Sequence, residues 1–186
     1  MVALYIVLAI VAAAVLYVVV TYNGFVRLRE RVNAAWSDID VQMKRRYNLI
    51  PNLVETVKGY AAHERGTLEA VIQARNTAIA APGLDQKVQA ENMLTGALRQ
   101  LFALSENYPN LKANTNFQQL QTDLSDIENK LAAARRFFNN AVQEYNTGIQ
   151  QMPANLFAAS FGFHPHTFFD LGESRPQLET APSVKF

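Results

Sequence analysis

The chain contains no cysteine. That excludes a disulfide scaffold, thiol catalysis, lipid attachment to a thiol and every cysteine-ligated metal site. Glycine and proline are scarce, 8 and 7 in 186 residues, against abundant Ala, Leu, Gln, Asn and Glu. That balance points to helices rather than short strands and turns. An excess of one charge is missing as well. Seventeen basic and sixteen acidic residues leave a net +1, so no strong field steers the protein to nucleic acid, and none is expected as a partner. With 49% hydrophobic and 18% charged residues, the chain is not a disordered polyampholyte; its length suits one domain, or one domain with an appendage.

Residues 2–20 lack charge, amide and proline, and are rich in Val, Ala, Ile and Leu. At ~1.5 Å per residue the run spans roughly 28 Å, close to the ~30 Å hydrocarbon core of a bilayer. Tyr17 and Tyr22 stand at its C-terminal end, where amphipathic rings favour the interface. A cleaved signal peptide would carry a basic residue before the apolar run and would stop near Ala12, Ala13 and Ala14. Here no Lys or Arg precedes the run, and it continues through residues 15–20. A retained anchor is expected, with the lipid bilayer as the partner of residues 2–20. Arg27, Arg29 and Arg31 follow the run closely, with Lys44, Arg45 and Arg46 further on. The positive-inside rule then puts the N-terminus outside and the rest of the chain in the cytoplasm. Ala9 and Ala13 form a small-xxx-small pair, for which plain lipid exposure is the favoured reading.

Beyond the anchor, apolar residues recur at helical spacing almost throughout. Leu28, Val32, Ala35, Ile39 and Met43 define a first stretch over residues 23–46. Ile50, Leu53, Val57, Ala61, Leu68, Val71, Ala74 and Ala78 define a second, ending at the breaker Ala81-Pro82-Gly83. Asp85 is the expected N-cap of a third, carried by Val88, Leu94, Ala97, Leu101, Leu104 and Tyr108 and stopped by Pro109. A fourth runs from Phe117 through Leu120, Leu124, Ile127, Leu131, Ala134, Phe138, Ala141 and Tyr145 to Ile149, its 3-4 alternation suiting a coiled-coil-like seam. Asn116 with Gln119 resembles a capping box at its start. A turn at Asn48, with Pro51 in the first turn of the next helix, would fold the first stretch back and complete an antiparallel four-helix bundle; one long helix through Pro51 is the alternative. The expected fold class is thus all-α, an antiparallel bundle of about four helices after one transmembrane helix. Its parts are an anchor at 1–22, a bundle domain at 23–152, and a tail at 153–186 whose Phe157, Phe161, Phe163, Phe168 and Phe169 pack on the bundle.

Searching for chemistry yields mostly negatives. There is no Gly-x-x-x-x-Gly-Lys-Ser/Thr loop, Gly-x-Gly-x-x-Gly or Gly-x-Ser-x-Gly. His63-Glu64 opens like a zinc-protease helix, but Thr67 stands where the second histidine is needed. His164 and His166 flank a proline and could share a metal, without a third histidine or a carboxylate cluster nearby. Asp123, Asp126 and Glu128 read as a solvated face. The basic clusters Lys44-Arg45-Arg46 and Arg135-Arg136 read as surface ion pairing. Asn52, Glu55, Lys58, His63 and Glu64 flank an apolar stripe, where either a hydrogen-bonded network or a substrate site would use them.

The stretches YNGFVRLRERV (22–32), AAWSDIDVQMKRR (34–46), LIPNLVETVKGYAAHE (49–64), LFALSENYPNLKANTNFQQLQ (101–121) and ARRFFNNAVQEYN (134–146) resemble the LemA family. The ending MPANLFAASFGFHPHTFF (152–169) is similar to that family's C-terminal signature. The resemblance implies a small bacterial membrane protein with one N-terminal span, an extracytoplasmic N-terminus and a cytoplasmic helical bundle. It implies no enzyme activity and carries over no catalytic, cofactor-binding or metal-binding residue. LemA relatives among magnetosome membrane proteins point by analogy to membrane organisation, and a link to membrane-stress proteolysis points to the envelope. The expected function is a membrane-anchored scaffold or adaptor acting by protein contact, self-associating, without a cofactor, on a protein partner the sequence does not name. The alternative is an enzyme or metal-dependent site built on His63, His164 and His166.

Overall fold

The structure is a computed structural model that describes residues 1–169. Among these there is no strand, and six α-helices and one 3-10 turn follow in order: α1 (Val2–Lys58), α2 (Arg65–Ala80), α3 (Leu84–Ser105), α4 (Pro109–Lys112), α5 (Thr115–Gln150), α6 (Asn155–Ala158) and the 3-10 turn Ala159–Phe161. The all-α class read from periodicity is the observed one.

Helix α1 does not turn at Asn48. It runs unbroken through Pro51 to Lys58, so the expected fold-back is corrected to the long-helix alternative. Two features allow this. Pro51 lies on the exposed side, while Met43, Tyr47, Ile50, Val54 and Val57 hold a continuous buried stripe past it. The carbonyl of Tyr47, which loses its i+4 donor to the proline ring, accepts instead from Arg75 Nε at 2.7 Å. The chain reverses after α1, where the Tyr60 and Ala61 N–H groups bond back to the Val57 carbonyl at 3.0 and 2.8 Å. The second apolar stretch is therefore two helical segments, divided at 59–64.

The chain forms two compact units, and both long helices contribute to each. One comprises Val41–Leu131 together with Phe169 among the described residues. In it the end of α1, α2, α3 and the first half of α5 supply four helical segments. Their inward positions match the apolar spacing: Ile50, Leu53, Val57, Val71, Ala78, Leu94, Leu101, Phe117 and Leu131 are fully or almost fully buried. A fully buried Leu or Phe of this kind stabilises the fold by about 1.5–3 kcal/mol. Two caps differ from expectation. Helix α3 begins at Leu84 with Gly83 as its N-cap, so Asp85 sits in the first turn, where its charge still complements the helix dipole. Helix α5 is capped by Asn114, whose Oδ1 accepts from the Phe117 N–H at 3.0 Å, so Asn116 is already inside the helix. The third apolar stretch stops short of Tyr108, and α4 opens on Pro109 at its first position, where a missing N–H is harmless.

The other unit comprises Met1–Asp40 and Ala132–Phe168. Phe25, Val32, Ala35 and Ile39 of α1 and Phe138, Ala141, Val142, Tyr145 and Ile149 of α5 are among its buried residues. Trp36 meets Phe138 at 5.8 Å between ring centroids. The 36-residue length of α5 gives Trp36 its partner, and Ile39 and Met43 are fully buried. The two helices come close at Gly148, where a methyl group would stand 3.0 Å from Leu28 Cδ1 and push that side-chain tip aside by a few tenths of an ångström. Arg31 pairs with Glu144 between the same helices. After α5 the Met152–Pro153 peptide is cis, and α6 with its 3-10 turn ends at Gly162, whose φ of 79° is the left-handed value that glycine adopts without strain. Residues 170–186, and with them half of the expected tail, lie outside the described residues.

Candidate membrane-contact site

Helix α1 is the one helix among the described residues long and apolar enough to cross a membrane, with a mean hydropathy of 2.9 over an 18-residue window. None of that window is buried against protein. Leu4, Ile6, Leu8, Ile10, Val15 and Leu16 all face outward. A helix that is apolar on every side is covered either by a protein core or by lipid. Here none of that window is buried among the described residues, and hydrocarbon suits such a surface.

At the C-terminal end of the apolar run the chain builds an aromatic collar. Phe157 stands edge-on to Tyr17 at 6.4 Å, Phe161 to Tyr22 at 5.5 Å, and Phe163 to Tyr22 and Phe25 at 5.4 and 5.2 Å. Phe157 and Phe161 also contact each other at 5.8 Å. Edge-to-face pairs at these separations each add about 0.5–1.5 kcal/mol beyond area burial. The Arg29 guanidinium lies over the Phe163 ring at 5.5 Å, a cation–π contact just beyond the end of the run. The arrangement of apolar span, aromatic ring belt and adjoining arginines is that of a helix leaving a bilayer.

The three histidines are placed as follows. His63 is exposed in the turn after α1, and His164 is exposed after the 3-10 turn. His166 is held through its backbone, with its N–H donating to Asn146 Oδ1 and its carbonyl accepting from Asn146 Nδ2, both at 2.9 Å. Its ring lies 4.9 Å from that of Tyr145. Burial pushes the Tyr145 hydroxyl above the usual tyrosine range, opposed by the nearby Arg29 charge and a bond to the His164 backbone. Among the described residues no group of three or more His, Asp or Glu side chains is placed to hold a metal ion. Asp123 accepts from Gln119 at 2.8 Å, and Asp126 pairs with Lys130 at 3.5 Å. An open depression in the unit of Met1–Asp40 and Ala132–Phe168 is lined by Leu28, Asn140, Gln143, Glu144, Thr147, Gly148 and Gln151. Its single ionisable side chain, Glu144, is engaged by Arg31.

The helical unit Val41–Leu131 holds a buried polar network where the sequence had suggested a solvated face. Arg46 is 4% exposed and Glu91 fully buried. Arg46 donates to Glu91 at 3.0 Å and to Thr95 Oγ1 at 3.0 Å, and reaches Glu128 at 3.3 Å. The Tyr47 hydroxyl donates to the other Glu91 oxygen. Three helices are thereby tied at one level by charge-assisted bonds, which fix register. The surface reading of the basic clusters is corrected for Arg46 and for Arg135, which is also buried. The residues expected to form a network lie elsewhere: Asn52, Glu55, Lys58 and His63 are exposed, and only Glu64 is drawn in, accepting from the Tyr108 hydroxyl at 3.1 Å. A signal for the true network existed in the spacing. Glu91 falls between Val88 and Leu94 on the buried stripe of α3, at a position where a charge requires a partner.

Comparison with known proteins agrees with this architecture. The family model described as LemA family matches residues 35–186. Magnetosome protein MamQ of Magnetospirillum gryphiswaldense is 26% identical over 174 residues, covering 80% of this chain and 64% of its own length. Protein LemA of Metamycoplasma hominis is 26% identical over 165 residues, covering 86% of this chain and 74% of its own length.

Proposed function

Because the chain belongs to the LemA family, we propose that it is a membrane-anchored scaffold or adaptor of the bacterial cytoplasmic membrane that acts by protein–protein contact and not as an enzyme. The bilayer holds residues 2–20, with the N-terminus outside and the helical units in the cytoplasm, a reading supported by Arg27, Arg29 and Arg31, which follow the run closely. One observation carries the reading. The helix whose first part is bare apolar surface goes on, with no loop, to supply Val32, Ile39, Met43 and Ile50 to protein cores. An anchor continuous with the core helix holds the helix faces at the membrane, where two-dimensional confinement raises their effective concentration. Weak contacts between copies, or with a protein partner, then suffice for assembly. Relatives named as magnetosome proteins support a part in a cellular assembly; membrane organisation and envelope stress are the proposed settings.

Complementation of a deletion phenotype tests contact against chemistry. The variant with His63→Ala, His164→Ala and His166→Ala is expected to complement fully. Failure to complement, at normal abundance and fold, would establish the metal-dependent or enzymatic alternative. The mass of the full chain in mild detergent is expected to exceed that of a monomer and to fall when residues 2–20 are deleted. A strictly monomeric full chain would remove self-assembly and leave the adaptor role.

A further inference from the structure

Residues 145–169 contain no Asp, Glu, Lys or Arg, although the part of α5 before them carries all four. Over residues 152–161 large apolar side chains are exposed where a helix in water would bury them. The buried side of the short α6 segment carries the small residues Ala154 and Ala158, while Met152, Leu156 and Phe161 are exposed, by 71%, 73% and 46%. Large apolar side chains directed away from the protein, on a segment free of charge, suit a solvent that is itself apolar.

The ring contacts fix where this segment stands along the anchor. Phe157 meets Tyr17, which lies three residues inside the end of the apolar run, about 4.5 Å at 1.5 Å per residue. Phe161 meets Tyr22, two residues beyond that end, about 3 Å on the other side. Phe157 and Phe161, with Leu156 beside the first of them, thus bracket the level at which the span leaves the hydrocarbon. We propose that residues 152–161 form a second membrane contact, lying in the interface of the same bilayer with Leu156 and Met152 inserted at the boundary between headgroups and acyl chains. The occupant of this face is lipid, because the face is continuous with the lipid-exposed surface of the span. The inference rests on the anchoring of residues 2–20 and adds a contact from the far end of the chain. Its consequence is that the anchor and the end of α5 are both held at the membrane, so the unit of Met1–Asp40 and Ala132–Phe168 meets the bilayer at two points of its sequence.

The absence of cysteine makes the test direct, since any introduced thiol is the only one. Full-length Leu156→Cys and Met152→Cys, each spin-labelled, are reconstituted in phosphatidylethanolamine–phosphatidylglycerol vesicles. Collision with oxygen, which enters lipid, is compared with collision with a nickel chelate, which stays in water. Val11→Cys serves as the reference within the span, and Met93→Cys, equally apolar and exposed on α3, as the reference for exposure alone. The labels at 152 and 156 are expected to report about 5–10 Å of insertion, well above the Met93→Cys value. If Val11→Cys reads as deep while 152 and 156 match Met93→Cys, the second contact is refuted and the anchor stands. Should 152 and 156 be shielded from both reagents, a protein covers the face and the lipid assignment is overturned. A water-exposed label at Val11→Cys would refute the anchoring itself, and the second contact with it.

Discussion

Arg75 Nε donates to the backbone carbonyl of Tyr47 at 2.7 Å, and this carbonyl is the one that Pro51 leaves without its helical donor. A side chain on α2 therefore repairs the defect that a proline creates in α1. The repair explains how α1 stays helical to Lys58 and why a proline here does not mark a turn.

The repair predicts coupling between the two sites. Arg75→Ala removes a charged donor from a partly buried carbonyl and is expected to cost about 1–3 kcal/mol. In a Pro51→Ala background the restored N–H serves the same carbonyl, so Arg75→Ala should cost less than half as much. A double-mutant cycle from urea denaturation measures this; strictly additive effects would refute the repair.

Arg46 and Glu91 are a buried pair, so breaking it differs from replacing it. Arg46→Met alone leaves the Glu91 carboxylate buried with the Tyr47 hydroxyl still donating to it but no countercharge from Arg46, and is expected to cost about 3–5 kcal/mol. Arg46→Met with Glu91→Leu removes both charges and should recover most of that loss. Thermal midpoints of the three variants check the order.

Tyr108 donates to Glu64, and this bond to the carboxylate raises its pKa above the usual value of 10.0, with desolvation adding to the effect. A raised pKa means that the fold favours the protonated hydroxyl. The associated stability is present below the unfolded pKa and is lost as pH rises through the folded one. Glu64→Gln should bring the Tyr108 titration back toward that of an ordinary tyrosine, as read by NMR of the labelled ring carbon. An unchanged titration would mean that Glu64 is not its cause.

Topology is checked by reporters fused after Phe186, a residue outside the described part of the structure. Basic residues cluster only after residue 20, so a cytoplasmic reporter should be active and a periplasmic one silent. The reverse pattern would invert the proposed orientation.

Much of the fold is legible in the sequence because helical burial is a local periodicity. Which of Leu94, Leu101, Leu124, Leu131 and Ile149 face inward follows from spacing along one helix, and all five are buried. The apolar run and the arginines after it are equally local, and they define the anchor and its predicted orientation. The candidate site was only partly legible. Tyr17 and Tyr22 stood out at the interface, but their partners Phe157 and Phe161 lie far along the chain, where no spacing rule connects them.

What the sequence determined by itself was the helical class, the apolar span and the inward stripe of each segment, since these depend on the order of side chains within a few turns. Only the tertiary structure decided that α1 continues through Pro51, that Arg46 is buried on Glu91 and that Phe157 meets Tyr17. Each of these depends on a partner distant in the chain, 28 residues away for the Tyr47 carbonyl and 45 for Arg46. A proline or a charge carries a local cost that is visible in sequence; whether that cost is offset depends on which group folding brings within 3 Å of it.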